Sequence, residues 1–188
     1  RHDENAFTQP NAFINAKIIA WLESHAPDYN QDDLLELYCG MGNLTIPLAK
    51  YFKRVCASEI SKSSIAAAKW NMVENGVNNI EFARLSSEDF TQAMDGVRSF
   101  RRLEGIDLNS YNFTHVLVDP PRSGVDSGSL ALISRFETIM YISCNPDTLE
   151  RDLRALEKTH TIIDMVAFDQ FAYTPHLEMG VILKKRGR

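Results

Sequence analysis

Cysteine is scarce: Cys39, Cys56 and Cys144 are the only three in 188 residues. An odd, widely spaced set closes no disulfide framework and supplies too few thiolates for a cysteine metal site or an iron–sulfur cluster. A reducing compartment is expected, and no metal. Long hydrophobic runs are missing as well. The opening RHDENAFTQPN lacks the apolar core of a signal peptide, and no later stretch approaches the roughly 20 apolar residues of a membrane span. The expectation is a soluble, cytoplasmic chain with no membrane partner, and nothing implies an obligate protein partner. Positive charge is not in excess either. With 25 acidic and 20 basic side chains the formal charge is −5, which gives no global attraction to a nucleic-acid backbone. Basic residues cluster locally at Arg98, Arg101 and Arg102 and in the closing KKRGR; a solvated face and an RNA-facing patch explain each cluster equally well.

What is present is a regular alternation. PNAFINAKIIAWLESH, Pro10 to His25, sets Phe13, Ile14, Lys17, Ile18, Trp21 and Leu22 at helical spacing, which predicts an amphipathic helix laid on the following domain. LLELYC then reads as a buried strand and LTIPLAKYF as a helix with Pro47 in its first turn. RVCASEI is a strand, KSSIAAAKWNMVENG a helix ended by Asn75 and Gly76, and NIEFARL a strand. A broken helical segment, SEDFTQAMDGVRSFRRLEG, precedes the strand THVLVDPP, the helix SGSLALISRF, the strand TIMYISCNP and the charged helix TLERDLRALEKT; TIIDMVAFDQF and MGVILKK close the chain as a pair of strands. Strands separated by helices imply parallel crossovers, hence an α/β, doubly wound, mostly parallel sheet of seven strands with helices on both faces and an N-terminal helix. Ligands bind such sheets beyond the C-terminal strand ends.

The chemistry-bearing residues fall at those ends. Glu36 to Asn43, ELYCGMGN, joins a strand to a close pair of glycines, which lets the backbone turn tightly and leaves room for a ligand; a plain tight turn is the other explanation. The third glycine of a dinucleotide fingerprint is missing, so pyrophosphate binding has little support. Glu59 ends the next strand, where a carboxylate can accept hydrogen bonds from both hydroxyls of an adenosine ribose or can cap the helix near Ser61. Glu88 and Asp89 either approach an adenine edge or open a helix. Asp119 closes an apolar strand before two stiffening prolines, and Arg122 after it suits an RNA phosphate, a catalytic loop or a surface ion pair. Cys144 differs from the other cysteines because Asn145 and a proline turn follow it, and by position alone a nucleophile and a buried hydrophobe explain it equally well. Glu178 is the candidate base: a strand-end carboxylate can simply be solvated, but partial shielding by Phe171, Tyr173 and His176 would raise its basicity; His176 is a support or a second base, and Asp169 and Gln170 orient the segment, contact a base edge or serve as ordinary caps.

FTQPN (Phe7 to Asn11), ELYCGMGN, DPPRSG (Asp119 to Gly124), SCNPDTLERDL (Ser143 to Leu153) and DQFAYTPHLE (Asp169 to Glu178), in this order, resemble the motifs of the RNA 5-methyluridine methyltransferases. Within that family FTQAMDGVRSF, Phe90 to Phe100, looks most like the bacterial branch that modifies the tRNA T-loop. The resemblance implies an S-adenosyl-L-methionine-dependent methyltransferase fold of the Rossmann-like kind and tRNA as substrate. It further implies Gln9, Tyr38, Asn43, Glu59 and Asp119 as cofactor contacts, Cys144 as nucleophile and Glu178 as base. Phe7, Phe171 and Tyr173 become candidate stacking surfaces for an unstacked base, and Arg122, Asn145, Asp169 and His176 candidate RNA contacts or supports. Ala172 stands where relatives often have proline, and Pro175 where they often have another residue. Members of the family normally carry a further N-terminal RNA-binding region. The expected organisation is therefore an extension and helix over 1–26 and a methyltransferase domain over 27–188 without that region, with RNA affinity weakened. Methylation of ribosomal RNA, a small-molecule methyltransferase and a cofactor-binding module without turnover are the competing expectations.

Overall fold

The structure is a computed structural model and describes residues 10–27, 31–174 and 176–187. Helix α1, Ala12–Ser24, starts where the Asn11 side chain accepts hydrogen bonds from the amides of Phe13 and Ile14 at 3.1 and 3.2 Å, satisfying donors that the first turn leaves unpaired. Strand β1, Asp33–Leu37, is buried along its whole length. The short helix α2, Thr45–Leu48, follows it, then β2, Arg54–Ser58, and α3, Lys62–Glu74. Helix α3 ends as its sequence predicts, with Asn75 as cap and Gly76 at φ +66°. Next come β3, Ile80–Ala83, α4, Ser87–Met94, β4, Phe113–Val118, and α5, Ser127–Ile133. Strand β5, Thr138–Ser143, helix α6, Pro146–Leu156, and the strands β6, His160–Phe168, and β7, Glu178–Lys185, complete the chain.

The seven strands form one sheet in the order β3-β2-β1-β4-β5-β7-β6, parallel except for β7, which runs antiparallel to both its neighbours. The chain fills one half of the sheet outward from β1 and then returns to start β4 on the other side of β1. The crevice between the C-terminal ends of β1 and β4 is therefore the topological switch point, where ligands of such sheets bind. Alternate residues feed two cores. Leu34, Val55, Leu117 and Ile182 pack with Ile18 and Leu22 of α1 and Ile65 of α3 on one face. Leu35, Val116, Tyr141 and Val181 pack with Phe90, Leu132 and Leu149 from α4, α5 and α6 on the other.

Two expectations need correction. Phe13 is not on the buried stripe of α1: it is 70% exposed, with the Lys17 ammonium 4.7 Å above its ring. The row that meets the sheet is Ile14, Ile18, Trp21 and Leu22, and Phe13 lies one residue, about 100°, around the helix from it. Second, the helix expected over LTIPLAKYF is only the four residues of α2, with Pro47 inside it, and tightens into a 3₁₀ turn at Ala49–Tyr51. The broken helical segment is as expected: α4 is followed by a 3₁₀ turn at Arg101–Leu103, with Arg98, Arg101 and Arg102 exposed along it, and a further 3₁₀ turn, Leu108–Ser110, lies beyond its end.

Trp21 fixes α1 to the sheet. Its indole N–H donates to Asp164 Oδ2 of β6 at 2.9 Å, and its ring lies so close to Gly180 of β7 that a Cβ there would meet a ring carbon at 2.5 Å. Gly180→Ala should therefore destabilise the fold by about 1–3 kcal/mol through overpacking. A thermal melt should show the loss, and should show it reduced when Trp21→Leu is combined with it; equal losses in the two backgrounds would mean that the ring is not the obstacle.

Candidate functional site

β1 and β4 end level with each other, Leu37 and Val118 being Cα partners, so Tyr38 and Asp119 leave the sheet side by side at the switch point. Tyr38 takes φ +64°, and Gly40 and Gly42 follow at +54° and +83°. Left-handed backbone favours glycine; at Tyr38, which is not glycine, it stores strain that the surroundings must hold. The Tyr38 hydroxyl supplies one restraint by donating to Ser87 Oγ at the start of α4, 2.7 Å away. At Gly40 a Cβ would meet nothing within 4 Å, whereas at Gly42 it would crowd Ile46 at 3.1 Å. The loop is thus packed against α2 on one side and open on the other.

Glu59, one residue beyond β2, bridges this loop and the next helix. Its Oε2 accepts from the Gly40 amide at 3.2 Å and its Oε1 from the Ser61 amide at 2.7 Å, while the cap of α3 is Ser61 itself, whose Oγ accepts from Ser64. Glu59 is therefore held against the glycine loop rather than acting as the helix cap. Asn43 lies exposed at the far end of the loop and exchanges two hydrogen bonds of 2.9 Å with Asn15 of α1. Glu88 and Asp89 sit in the first turn of α4, capped by Ser86, as helix-opening charges. A carboxylate at the second strand, a loop with an open side and a carboxylate at the fourth strand are groups that would suit an adenosine carrying a positively charged substituent, Glu59 as an acceptor for ribose hydroxyls and Asp119 as a counter-charge.

The second cluster arises from the antiparallel insertion of β7. Ser143 and Met179 are Cα partners, and the register continued by one residue sets Cys144 opposite Glu178. Cys144 is half-buried, whereas Cys39 and Cys56 are buried within the cores. Glu178 is 1% exposed, and its Oε2 has no hydrogen-bond partner. Burial, reinforced by the charge of Asp119, pushes its carboxyl up to about 8. Asp119 is raised to about 7 by burial. The Cys144 thiol is raised by burial and by Glu178 and Asp119, and Arg122 opposes the shift. Nucleophile candidate, base candidate and cofactor-side carboxylate thus share one electrostatic cluster at the ends of β4, β5 and β7.

The remaining candidates divide. The Arg122 guanidinium meets His176 Nδ1 at 3.1 Å, and the Arg122 carbonyl accepts from Asn145 Nδ2 at 2.9 Å. Asn145 also caps α6, its side chain accepting from the Asp147 amide at 3.2 Å. Phe171 is half-buried, with its ring edge-on to His176 at 6.1 Å. Tyr173 is fully exposed at φ +65° and so does not shield Glu178, contrary to expectation; the antiparallel pairing with β5 and β6 buries that carboxyl instead. Asp169 is exposed. Phe7 and Gln9 lie outside the described residues. Among the described residues no three metal-ligating side chains gather.

Sequence reasoning gave no role to Glu36, 1% exposed in β1, whose Oε2 lacks a partner and whose carboxyl is pushed up to about 8 by burial, with Asp119 adding to the shift. An acidic residue in the middle of an otherwise apolar strand was its available signal. It also passed over Asp152, a fully buried acceptor in α6; there the charged pattern of the helix gave no sign that one of its carboxylates turns inward.

The family model described as tRNA (Uracil-5-)-methyltransferase matches residues 1–186. A tRNA/tmRNA (uracil-C(5))-methyltransferase of a Nitratiruptor species is 58% identical over 185 residues, 98% of this chain and 51% of that protein. The protein of the same description from a Sulfurovum species is 55% identical over 97% of this chain and 49% of its own length. The chain thus spans about half the length of the curated relatives it matches. Among solved structures, the Pyrococcus abyssi tRNA (uracil-54, C5)-methyltransferase in complex with S-adenosyl-L-homocysteine superposes with a TM-score of 0.75 at 28% identity, over 95% of this chain and 40% of that one. Matched from its first residues to its last strand, the chain belongs to the tRNA (uracil-5-)-methyltransferase family.

Proposed function

We propose that this chain is the catalytic domain of an S-adenosyl-L-methionine-dependent methyltransferase acting on carbon 5 of a uridine in the tRNA T-loop. The observation that carries the reading is the register that sets Cys144 opposite Glu178 beside Asp119. A small-molecule methyltransferase needs no such pair. Residues 1–26 form an extension and helix, 27–188 the methyltransferase domain, and the part of the relatives that this chain does not span supplies most of the RNA selection. Tyr38, Asn43, Glu59, Asp119 and, from the motif, Gln9 hold the cofactor, which supplies a methyl group on a positively charged sulfur. The three cysteines are free, which fits the reducing cytoplasm. No helix among the described residues is long and apolar enough to cross a membrane.

Carbon 5 of uracil is a poor nucleophile by itself. The Cys144 thiolate adds to carbon 6, forming the C–S bond and pushing the C5–C6 π pair toward the 4-carbonyl as an enolate. The cofactor, when held by Tyr38, Asn43, Glu59 and Asp119, would supply the methyl group that carbon 5 takes, its sulfur keeping the electron pair. Carbon 5 now bears both methyl and hydrogen. Glu178 removes that proton, the double bond re-forms and the thiolate leaves. Raised to about 8, the Glu178 carboxyl holds its proton near neutrality until a cationic cofactor beside Asp119 favours the ionised form; once ionised it is a stronger base than an ordinary carboxylate and suits this step. The rigid strand ends hold the participants in line. Phe171, with His176 at its edge, offers a surface on which the unstacked base can rest, and Arg122 faces the RNA backbone.

The test is Cys144→Ala, incubated with labelled cofactor and unmodified tRNA. Expected are an unchanged cofactor dissociation constant, no protein–RNA adduct, and a fall of at least about 10³-fold in 5-methyluridine measured after RNA digestion. Methylation at the unsubstituted rate would remove Cys144 from the reaction.

A further inference from the structure

We propose that Arg151 and Asp152 of α6 are positioning residues that lock the loop carrying Arg122 onto the turn carrying Cys144, so that the two move as one body. The inference rests on the reading of Cys144 as the nucleophile and adds residues that touch neither cofactor nor RNA.

The loop from Pro120 to Val125 has no helix or strand of its own, yet four of its backbone groups are taken by α6. Arg151 Nη2 donates to the carbonyls of Ser123 and Val125 at 3.1 and 3.2 Å. The Val125 amide donates to Asp152 Oδ2 at 2.9 Å, and the same oxygen accepts the Tyr141 hydroxyl of β5 at 2.7 Å. Arg151 Nε completes the pair by donating to Asp152 Oδ1 at 2.8 Å. One helical turn earlier, Thr148 joins Asn145 on the Arg122 carbonyl, at 3.2 Å. Gly124 allows this approach: at φ +76° a Cβ would lie 2.5 Å from Arg151 Nη2 and 2.8 Å from Asp152 Oδ2. Asp152 is fully buried and charged, a costly placement unless its partners are fixed. Its partners are the reactive loop and the strand that ends at Cys144.

The clamp has a chemical consequence. Among the described residues the Arg122 guanidinium makes no ion pair with a carboxylate and meets only the ring of His176. Its charge therefore acts on the site. The groups that face Cys144 are Glu178 from β7 and Asp119 from the end of β4, which raise the thiol, and Arg122, which opposes them. Arg122 is exposed, so it is the loop and not burial that keeps its guanidinium near the site; releasing the loop lets it swing away and leaves the two carboxyls unopposed.

The rate of Cys144 alkylation by iodoacetamide, followed against pH on the 188-residue chain and mapped by mass spectrometry, reads this out without RNA or cofactor. Arg151→Met takes the ion-pair partner from buried Asp152, which keeps the Val125 amide and the Tyr141 hydroxyl as donors, so the variant should fold with reduced stability, and a thermal melt fixes the temperature at which alkylation is read on folded protein. Arg151→Met should move the profile to higher pH by about half a unit and slow alkylation about threefold near neutrality. Arg122→Met should do the same, and the double variant should be no slower than either single, as for residues acting through one contact. Arg154→Met, on the same helix but paired only with Glu150, should leave the profile unchanged. A profile for Arg151→Met that overlays the unsubstituted one, or a double variant that shifts by the sum of the two singles, overturns the proposal. Failure of the reading of Cys144 as nucleophile would instead show as full activity of Cys144→Ala, a separate result that leaves the alkylation profiles standing.

Discussion

Glu178→Gln should leave the protein covalently joined to its RNA. Glutamine keeps the shape of the side chain and the pairing of β7 with β5, so cofactor binding, addition of Cys144 to carbon 6 and methyl transfer all remain possible. What is lost is the acceptor for the carbon 5 proton, and until that proton leaves, the double bond cannot re-form and the thiolate cannot depart. Losing a general base costs about 10²–10⁴-fold in its step, enough to make release the slowest event in a reaction whose earlier steps are untouched. With labelled RNA, a band stable to denaturing electrophoresis should accumulate, and its digestion should show the methyl group already on the nucleobase. Cys144→Ala gives no such band, so the two variants fail at different steps. Free 5-methyluridine released at the unsubstituted rate would exclude Glu178 as the base and leave the role to His176, the other candidate base of that segment.

The order of elements was legible because helical and strand periodicities alternate strictly along this chain, and the helix stop at Asn75 and Gly76 appears where the residues put it. The strand ends were legible for the same reason, and with them Tyr38, Glu59, Asp119 and Cys144. The partnership of Cys144 with Glu178 was not, because it depends on β7 entering the sheet antiparallel between β5 and β6, a choice that two closing strands do not disclose locally. The surroundings of Glu178 were misread: proximity in sequence made Tyr173 a shield, but it projects into solvent, and strand pairing across the sheet does the shielding. Helix α6 shows the same limit. Its sequence reads as a solvated charged helix, yet Asp152 is fully buried beneath Arg151, since a charge turned inward looks like any other charge until its partners from a distant loop are in place.

Glu36→Gln should make the fold more stable at alkaline pH while changing little at acid pH. Glu36 and Glu178 each begin from 4.5 and are raised to about 8, both mainly by burial, and each has an oxygen without a partner. Such a carboxyl keeps its proton in the folded chain over a range in which the unfolded chain has lost it. Between 4.5 and about 8 the folded state therefore binds more protons, and stability falls as pH rises through that window. Below it both states are protonated and nothing is lost; above it the full penalty is in place. For the unsubstituted chain, melting temperature should decline across the window. Glu36→Gln removes one ionisation and should flatten the decline, with a gain on the order of 1–3 kcal/mol at the alkaline end, less than the full shift implies because buried sites relax and admit water when charged. Parallel curves for the two proteins would mean that Glu36 ionises without penalty in the fold. A flattened curve would show that a polar group has been kept at the switch point at a cost to stability. That cost makes sense at a site crowded with Glu36, Asp119 and Glu178 if, as proposed, the cationic cofactor binds against Asp119 and offsets charge that the fold alone tolerates poorly.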